Sequence, residues 1–537
     1  MLRQGGNAID AAVAVGYAEA VVNPCCGNIG GGGFLVAHLA DGRDIFLNFR
    51  ETAPAAATPD MYLDPQGNPM RNASLYGWRA IAVPGTVLGL DTALARYGTL
   101  PRSVVMGPAI RLARDGFTLT RFDTDILRRG SALLRRDPIS AGIFLHPDGA
   151  PLQPDERLVQ PKLAATLQAI ADAGADVFYH GHIPDVIAAA SRAGGGILAA
   201  SDFADYRVTE SAPLSCTYRG YVFISAPPPS SGGVTLCELL HVLEGYDMRR
   251  LGFHSAQAVH VMVEAMRHAY FDRNTYLGDP AFVDNPLSWL LSVRHADDIR
   301  SAIGEGATPS RMLAPGVAPH ERAETTHYSV IDKSGNAVAV TYTLNGGFGA
   351  GVVAADSGFL LNDEMDDFTV KPGTPNLFGL VQGEANAIAP RKRPLSSMAP
   401  TIVLRNGTPM LVFGSPGGAR IITITLETAL NVLDYGMAPE EAVRAPRLHH
   451  QWQPDEIFVE PQALSQETTT RLEGMGYHIT EQHPWGGLEL IAVGPLPTSG
   501  SAASASSKAA APSENSTRLY YGVSDPRQPS GAAVGYR

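Results

Sequence analysis

Two adjacent threonines, Thr325 and Thr326, stand at the start of a run of alternating apolar and polar residues, Thr325–Asp332. A second such run, Ala337–Thr343, follows after Lys-Ser-Gly-Asn, and together the two runs predict a β-hairpin. The preceding segment, Gly304–Glu324, is polar and rich in helix-breaking residues, which indicates an exposed linker. If the chain is cut before Thr325, the freed α-amine has a pKa of about 8 and can take the proton of the hydroxyl on the same residue. Such a threonine can act as a nucleophile without a histidine.

Further polar and glycine-rich positions offer ligand-binding or catalytic groups. An arginine at the end of a predicted strand can hold a carboxylate through two parallel hydrogen bonds. A Gly-Gly pair at the start of a predicted helix presents backbone N–H groups that can stabilise an oxyanion. Each group also has a structural alternative: a salt bridge for the arginine, a solvated turn for the acidic residues, turn hydrogen bonds for a serine pair and an ordinary loop for the glycines. The positions are Arg50, Thr343, Asn345, Glu364, Asp366, Asp367, Ser396, Ser397, Gly417 and Gly418.

The elements that must hold these groups are predicted from hydrophobic periodicity. Asn7 can cap a helix over Ala8–Val22, which is apolar nearly all round and is therefore expected to be buried. Phe34–Leu39 and Asp44–Arg50 predict a hairpin that ends on the arginine. The next 200 or so residues alternate amphipathic helices with short strands. The clearest of these helices are Thr86–Tyr97, Lys162–Ala173, Ile183–Ala193 and Ser255–Tyr270.

The C-terminal part places the glycine pair at a helix N-terminus. A hairpin of Thr401–Arg405 and Met410–Phe413 leads through Gly-Ser-Pro-Gly-Gly directly to a helix over Arg420–Leu433. An earlier loop that contains Phe378 is rich in proline and glycine, a composition suited to a lid. Residues 495–516 are rich in serine, alanine and proline and predict an exposed insertion between two C-terminal strands.

Length and charge disfavour several classes of function. A chain of 537 residues can bury a large core, in about three domains or one large α/β body. A net charge of −12, without a cluster of lysine and arginine, disfavours nucleic-acid binding. The longest apolar run, Ala8–Val22, is too short to span a bilayer, and no apolar signal-peptide segment precedes it.

The four cysteines predict small buried side chains and no disulfide scaffold. Cys25 and Cys26 are adjacent in sequence and therefore poorly placed to bridge each other. No spacing of cysteines and histidines matches a zinc site, so the sequence predicts no metal.

Four short motifs carry a resemblance to a known family. TTHYSV, MDDF, KRPLSSM and GSPGG occur in the order and at the spacing of γ-glutamyltranspeptidases, which are N-terminal-nucleophile (Ntn) hydrolases. The resemblance extends from GGNAIDAAVAV near the N-terminus to YGVSDPR near the C-terminus. It implies an α/β (α+β) fold, a four-layer αββα sandwich of two stacked, mainly antiparallel sheets flanked by helices.

For the catalytic groups, the resemblance implies that the chain cuts itself between Glu324 and Thr325. The products would be a large subunit, residues 1–324, and a small catalytic subunit, residues 325–537, which together form one intertwined body. Thr325 would be the nucleophile, Thr343 would orient it, and the N–H groups of Gly417 and Gly418 would stabilise the oxyanion.

For substrate binding, the resemblance assigns the α-carboxylate of a γ-glutamyl group to Arg50, Ser396 and Ser397. It assigns the α-ammonium group to Asn345, Glu364 and Asp367. Phe378 stands where lidded relatives carry a tyrosine, so the ring is kept but the hydroxyl, and any hydrogen bond that it makes, is lost.

The implied substrates are glutathione and other γ-glutamyl compounds, with water, amino acids or dipeptides as acceptors of the γ-glutamyl group. No cofactor and no metal is implied, and the only macromolecular partner is the second fragment. The family implies a periplasmic or secreted enzyme; the sequence as given shows no signal peptide, which keeps the cytoplasm open. Two alternatives remain: a glutaryl-cephalosporin acylase on the same frame, and an uncleaved, inactive protein that binds γ-glutamyl peptides.

Overall fold

Two antiparallel sheets stacked face to face form the centre of the fold in the computed structural model, which describes residues 1–313, 325–494 and 519–536. The strands are β1 (Gly32–His38), β2 (Asp44–Phe49), β3 (Phe117–Thr118), β4 (Arg157–Leu158), β5 (Thr209–Ser211), β6 (Leu214–Tyr218), β7 (Tyr221–Ser225), β8 (Thr326–Ile331), β9 (Ala337–Thr343), β10 (Thr401–Arg405), β11 (Thr408–Gly414), β12 (Leu448–His449), β13 (Ile457–Val459), β14 (Ile479–Glu481), β15 (Glu489–Val493) and β16 (Tyr520–Ser524).

Helices cover the outer faces of both sheets. They are α1 (Ala8–Val22), α2 (Thr86–Tyr97), α3 (Arg102–Asp115), α4 (Arg121–Leu134), α5 (Pro138–Phe144), α6 (Pro161–Ala173), α7 (Asp176–Tyr179), α8 (His182–Ala193), α9 (Ala200–Asp205), α10 (Gly232–Leu243), α11 (Met248–Leu251), α12 (Ala256–Tyr276), α13 (Leu287–Leu290), α14 (Val293–Ala302), α15 (Ile421–Leu433), α16 (Pro439–Arg444) and α17 (Gln466–Gly474). Within the described residues, no helix is both long and apolar enough to cross a bilayer.

The first sheet has the strand order β5-β2-β1-β9-β8, and the second has the order β16-β15-β11-β10-β7-β6. Both sheets therefore combine strands from before and after Thr325. In the first sheet β1 pairs with β9, and in the second β7 pairs with β10.

Three apolar layers account for the αββα arrangement. Side chains of β1, β9, β10 and β11, such as Phe34, Ala339, Ile402 and Val412, pack between the two sheets. A second cluster lies between the first sheet and helices that include α1, α2 and α3. A third lies between the second sheet and helices that include α10, α12 and α15. The predicted fold class is confirmed.

Helix α1 shows how the sequence specifies this layer structure. The Asn7 side chain accepts hydrogen bonds from the backbone N–H groups of Ile9 and Asp10, and Asp10 in turn accepts from Asn7 N–H. This capping box satisfies backbone donors that a helix N-terminus otherwise leaves open. The helix lies under the first sheet, and its buried positions include Ile9, Val13 and Tyr17.

Two predictions about the cysteines are wrong. All four cysteines are buried as expected, but none is free: Cys216 is bonded to Cys237, and Cys25 is bonded to Cys26. Cys216 lies on β6 and Cys237 on α10, which packs on that strand, so residues 21 apart in sequence come within 5.9 Å at their Cα atoms.

Candidate active site

The β8–β9 hairpin brings Thr325 and Thr343 together. Thr326 pairs with Tyr342 across the antiparallel ladder, so the register places Thr325 opposite Thr343, one residue further along. Both threonines are buried. The hydroxyl oxygen of Thr343 accepts a hydrogen bond of 2.9 Å from the backbone N–H of Asn345, which fixes its orientation at the end of the strand.

A cavity opens at this end of the hairpin. Most of its lining consists of residues that the sequence singled out, and they come from both sheets and from the loops between them. These predicted residues are Arg50, Thr325, Thr343, Asn345, Glu364, Asp367, Phe378, Ser396, Ser397 and Gly418. Met398 and Ile421 complete the lining, and Gly417 precedes Gly418 without lining the cavity itself.

Arg50 forms the centre of a buried ionic cluster in this cavity. Its guanidinium donates to Glu364 through Nη1 and to Asp367 through Nη2, the latter at 2.5 Å. A third carboxylate, Glu51, lies 3.5 Å from Nη1. Nε donates to the carbonyl of Pro394, so every nitrogen of the side chain has a partner. The residues predicted to bind opposite charges of a ligand are thus paired with each other here.

The pKa values in this cluster follow from burial and from the excess of acidic groups. Burial alone would lower the pKa of Arg50, but the charges of Glu364, Asp367 and Glu51 outweigh it and raise the pKa. Burial raises the pKa of Glu364 well above its ordinary value, against the opposing charge of Arg50. Burial likewise raises the pKa of Glu51 to about 7. One guanidinium therefore does not neutralise the three carboxyl groups around it.

The serine pair lies on the opposite wall and is held by two neighbouring segments. The backbone N–H of Ser396 donates to Pro229, and the Ser396 carbonyl accepts from Ser231, so the proline-rich loop before α10 supports this wall. The hydroxyl of Ser397 accepts a hydrogen bond of 2.9 Å from Arg273 of α12. No residue of Pro227–Gly233 lines the cavity, so that loop acts as a support.

The backbone conformation at Gly417 and Gly418 requires glycine at both positions. Gly417 has φ 147° and Gly418 has φ 54°, both in the positive region that residues with a side chain avoid. The two glycines connect β11 to a short 3₁₀ turn, Gly418–Arg420, which leads into α15. The backbone N–H groups at this helix start lie at the positive end of the helix dipole.

Phe378 closes one side of the cavity, and its loop is tied to the acidic turn beside it. The side-chain amide of Asn376 donates to Asp367, and the backbone N–H of Leu377 donates to Asp366 at 2.8 Å. The hydrogen bonds between this loop and the pocket therefore come from its backbone and from an asparagine, and the tyrosine hydroxyl that Phe378 lacks is not needed for them.

Some predictions fall outside this cavity or outside the described residues. Glu324 and the 495–516 insertion lie outside the described parts of the chain. The beginning of the Gly304–Glu324 segment is less exposed than predicted, because Ser310 is buried and bonds the carbonyl of Trp452 and the carboxylate of Asp455.

Among the described residues, His327 and His449 form hydrogen bonds with groups other than Thr325. His327 bonds Thr341 and Ser329, and burial lowers its pKa to about 3. His449 bonds Thr423 and Gln451.

Sequence reasoning missed the groups that support the cavity from behind. Glu51 follows Arg50 directly, and an acidic residue next to an arginine at a strand end could have indicated a charged group beside that arginine. Arg273 is fully buried, and its hydrogen-bond partners are the neutral groups of Asn274, Gln382 and Ser397. Burial lowers its pKa to about 10. A charged residue on the buried face of a helix is the pattern that indicates such a support.

An αββα sandwich with a threonine at the start of a strand of one of the two central sheets is the architecture of an Ntn hydrolase. The family model for γ-glutamyltranspeptidase matches residues 1–535. The chain therefore belongs to the γ-glutamyltranspeptidase family, and it is an enzyme of that family.

Curated relatives agree over the whole length. The chain is 52% identical to a glutathione hydrolase proenzyme of Pseudomonas sp. (strain A14), with 100% of this chain and 91% of the relative covered. It is 47% identical to the glutathione hydrolase proenzyme of Escherichia coli (strain K12), with 100% of this chain and 89% of the relative covered.

Among solved structures, the chain is similar to a cephalosporin acylase from Bacillus halodurans. The TM-score is 0.80 at 26% identity, with 91% of this chain and 88% of the acylase covered. The chain is thus similar both to proteins named glutathione hydrolase proenzymes and to one named a cephalosporin acylase, so the substrate must be argued from the cavity.

Proposed function

We propose that this chain is the proenzyme of a glutathione hydrolase that also transfers γ-glutamyl groups, with Thr325 as its nucleophile. One observation carries the proposal: Thr325 shares a single cavity with the Arg50 guanidinium and the Glu364 and Asp367 carboxylates. That set of charges is complementary to an α-amino acid head group. The relatives named glutathione hydrolase proenzymes support the same assignment.

Maturation begins with attack of the Thr325 hydroxyl oxygen on the carbonyl carbon of Glu324. The peptide C–N bond breaks, an ester forms, and the α-amine of Thr325 is released. Water then hydrolyses the ester, giving the carboxylate of Glu324 and restoring the threonine hydroxyl. The products are fragments of 324 and 213 residues (537 − 324 = 213).

The two fragments are expected to stay together after the cut. Each sheet contains strands from both sides of the cleavage point, and the core between the sheets combines Phe34 and Ala226 with Ala337 and Val412. Separation would expose this apolar layer to water, so the mature enzyme is proposed to be a heterodimer of residues 1–324 and 325–537.

In turnover, the free amine of Thr325 takes the proton of its own hydroxyl, directly or through water, while the oxygen attacks the γ-amide carbonyl of the donor. The amide C–N bond breaks, the amine product leaves with a proton, and a γ-glutamyl ester remains on Thr325. Water or the amine of an amino acid or dipeptide then attacks this ester. Thr343 orients the nucleophile, and Gly417 and Gly418 N–H groups stabilise the tetrahedral oxyanion in each step.

The donor is held by exchange within the ionic cluster. The α-carboxylate of the substrate takes over donors of Arg50 and receives hydroxyl hydrogen bonds from Ser396 and Ser397. Glu364 and Asp367, which are thereby released from Arg50, then pair with the α-ammonium group of the substrate. Asn345 contacts the same ammonium group. The ligand thus replaces each ionic contact that it breaks.

A periplasmic or extracellular location is part of the proposal. The two disulfides support it, because disulfides persist in oxidising compartments and are rare in the cytosol.

The decisive experiment is the intact mass of the purified chain beside that of a Thr325→Ala variant. Two fragments that meet at Glu324 and Thr325 in the wild type, with the variant uncut, would establish the nucleophile. Thr326→Ala is the matched control, since its hydroxyl accepts from Asn23 instead of lining the cavity, and it should still be cut. An uncut wild type would favour the γ-glutamyl-peptide binding protein.

The cephalosporin acylase frame supplies the second candidate function. A glutaryl group has the carboxylate of glutamate but lacks its α-amine, so it gives Glu364 and Asp367 no positive partner. We therefore expect faster release of para-nitroaniline from the γ-glutamyl than from the glutaryl anilide. The opposite order would move the assignment to an acylase while leaving the nucleophile unchanged.

A further inference from the structure

Three helices on the outer side of the second sheet bring together two carboxylates and an imidazole that do not line the proposed active site. Glu238 belongs to α10, Asp272 to α12 and His295 to α14, and all three side chains are buried. His295 Nε2 lies 2.8 Å from Asp272 Oδ2 and 3.5 Å from Glu238 Oε1. The three donor atoms all lie within 4.8 Å of one another.

The polar contacts of this cluster are incomplete. Glu238 is only 1% exposed, and among the described residues its Oε1, which lies 3.5 Å from His295 Nε2, has no hydrogen-bond partner. An unpaired buried carboxylate oxygen is costly, and native structures usually satisfy such atoms with a protein group, water or an ion.

The geometry fits a divalent cation with nitrogen and oxygen ligands. In a tetrahedral zinc site with bonds of about 2.0–2.2 Å, neighbouring donor atoms are about 3.3–3.5 Å apart. The separation of 3.5 Å between His295 and Glu238 already matches, and the 2.8 Å contact with Asp272 needs to open by only about half an ångström. One imidazole and two carboxylates form a ligand set that zinc accepts, with water in the fourth position.

We propose that Glu238, Asp272 and His295 bind one zinc-class divalent cation, independently of the reaction at Thr325. The cation would pair with both carboxylates, give Glu238 Oε1 a partner and fasten α14 to α10 and α12. The site would thereby stabilise the packing of α14, which is the last α-helix described before Thr325.

Trp289 makes this site accessible to measurement. Its ring contacts the His295 ring at an interplanar angle of 50°, with 4.2 Å between centroids, while 42% of the tryptophan remains exposed. The cluster therefore lies directly below the surface, where ions can exchange. Bound cobalt, which adopts zinc-like geometry and quenches indole fluorescence, would report its position through this tryptophan.

The test uses the full chain after dialysis against a chelator. Cobalt chloride is titrated in while the visible absorption of tetrahedral cobalt and the tryptophan fluorescence are followed, and zinc is then added in competition. We expect one cobalt per chain, displaced by zinc. Because changes outside the ligand shell already cost about 10- to 100-fold in metal affinity, Asp272→Asn and His295→Gln should each weaken binding by about 100-fold or more.

Two controls separate this site from other histidines and from misfolding. His180→Gln removes a histidine that pairs with Asp176 at 2.7 Å on the surface, and binding should be unchanged. Trp289→Phe leaves all three ligands in place and should keep the absorption but lose most of the quenching.

Two results would overturn the proposal. One is the absence of stoichiometric cobalt or zinc binding to the wild type. The three side chains would then be joined by hydrogen bonds alone. The other is cobalt quenching of tryptophan fluorescence that persists in Trp289→Phe, which would place the metal elsewhere. This result does not depend on whether the Asp272 and His295 variants fold.

Discussion

Replacement of Arg50 by lysine tests the proposed recognition of the α-carboxylate most directly. The variant keeps a positive charge among Glu51, Glu364 and Asp367, so the buried carboxylates are not left without a cation. It loses the planar fork with which the guanidinium holds two acceptors at once, since a lysine ammonium is a compact point charge.

The expected size of the effect follows from the number of bonds lost. Arg50 uses Nη1 and Nη2 for two separate carboxylates, and a lysine can replace only one of these directed contacts. A hydrogen bond to a charged group contributes about 1.5–3 kcal/mol. At about 1.4 kcal/mol per tenfold change, kcat/KM for a γ-glutamyl anilide should fall about 10- to 150-fold.

The assay compares two substrates on processed enzyme. γ-Glutamyl para-nitroanilide carries the α-carboxylate, and γ-aminobutyryl para-nitroanilide keeps the amine but lacks that carboxylate. Arg50→Lys should lower kcat/KM strongly for the first and little for the second. Arg391→Lys is the control, because Arg391 is an exposed arginine that pairs with Asp205. Equal losses on both substrates would refute the reasoning and assign Arg50 a structural role.

Three further outcomes are expected. Gly417→Ala should lower kcat with little change in KM, because a side chain at φ 147° strains the turn and displaces the Gly418 N–H. A change confined to KM would contradict the role of this N–H in stabilising the oxyanion. Burial raises the pKa of Glu427 from 4.5 to about 8, so its contribution to stability is present below pH 4.5 and is lost as pH rises through 8. Glu427→Gln should therefore flatten the fall of Tm over that range, and an unchanged profile would argue against the shift. Replacing Cys216 and Cys237 by serine should cost about 3 kcal/mol of stability for a separation of 21 residues, measured as a lower Tm than that of the wild type under non-reducing conditions.

Much of the fold was predictable because local patterns and tertiary packing agree. The capped helix Ala8–Val22, the helix Thr86–Tyr97 and the strand Ala337–Thr343 have the predicted bounds. The helix predicted over Ser255–Tyr270 continues to Tyr276, because its polar end packs beside the cavity wall instead of in water. Periodicity identifies such a face poorly, since buried polar residues interrupt the apolar pattern.

The lining of the candidate site was predictable for a different reason. Its residues occur in short motifs whose order and spacing identify the family, so the positions could be carried over one by one. The arrangement of charges could not be predicted. Pairing of Arg50 with Glu364 and Asp367 joins residues more than 300 positions apart, which follow strands β2 and β9 of the same sheet and meet only in the folded chain.

The Cys216–Cys237 pair and the Glu238–Asp272–His295 cluster could not be predicted for the same reason. Spacing rules detect metal sites whose ligands lie in one loop or on one helix. This cluster takes one residue from each of three helices, so its sequence spacing carries no signal. The proposed cation site therefore departs from the prediction of no metal, which was based on spacing alone.

The charges around Arg50 explain why recognition of the amine and of the carboxylate should be coupled. A ligand with only a carboxylate would compete with Glu364 and Asp367 for the guanidinium and release a carboxyl group into a buried site. Leaving such a charge unpaired costs roughly 3–5 kcal/mol. An α-ammonium removes this cost, since it pairs with the carboxylate that the ligand displaces. A ligand that has a carboxylate but no amine is therefore bound weakly, because it leaves Glu364 or Asp367 without a positive partner. The binding free energies of the α-carboxylate and the α-ammonium are thus not additive.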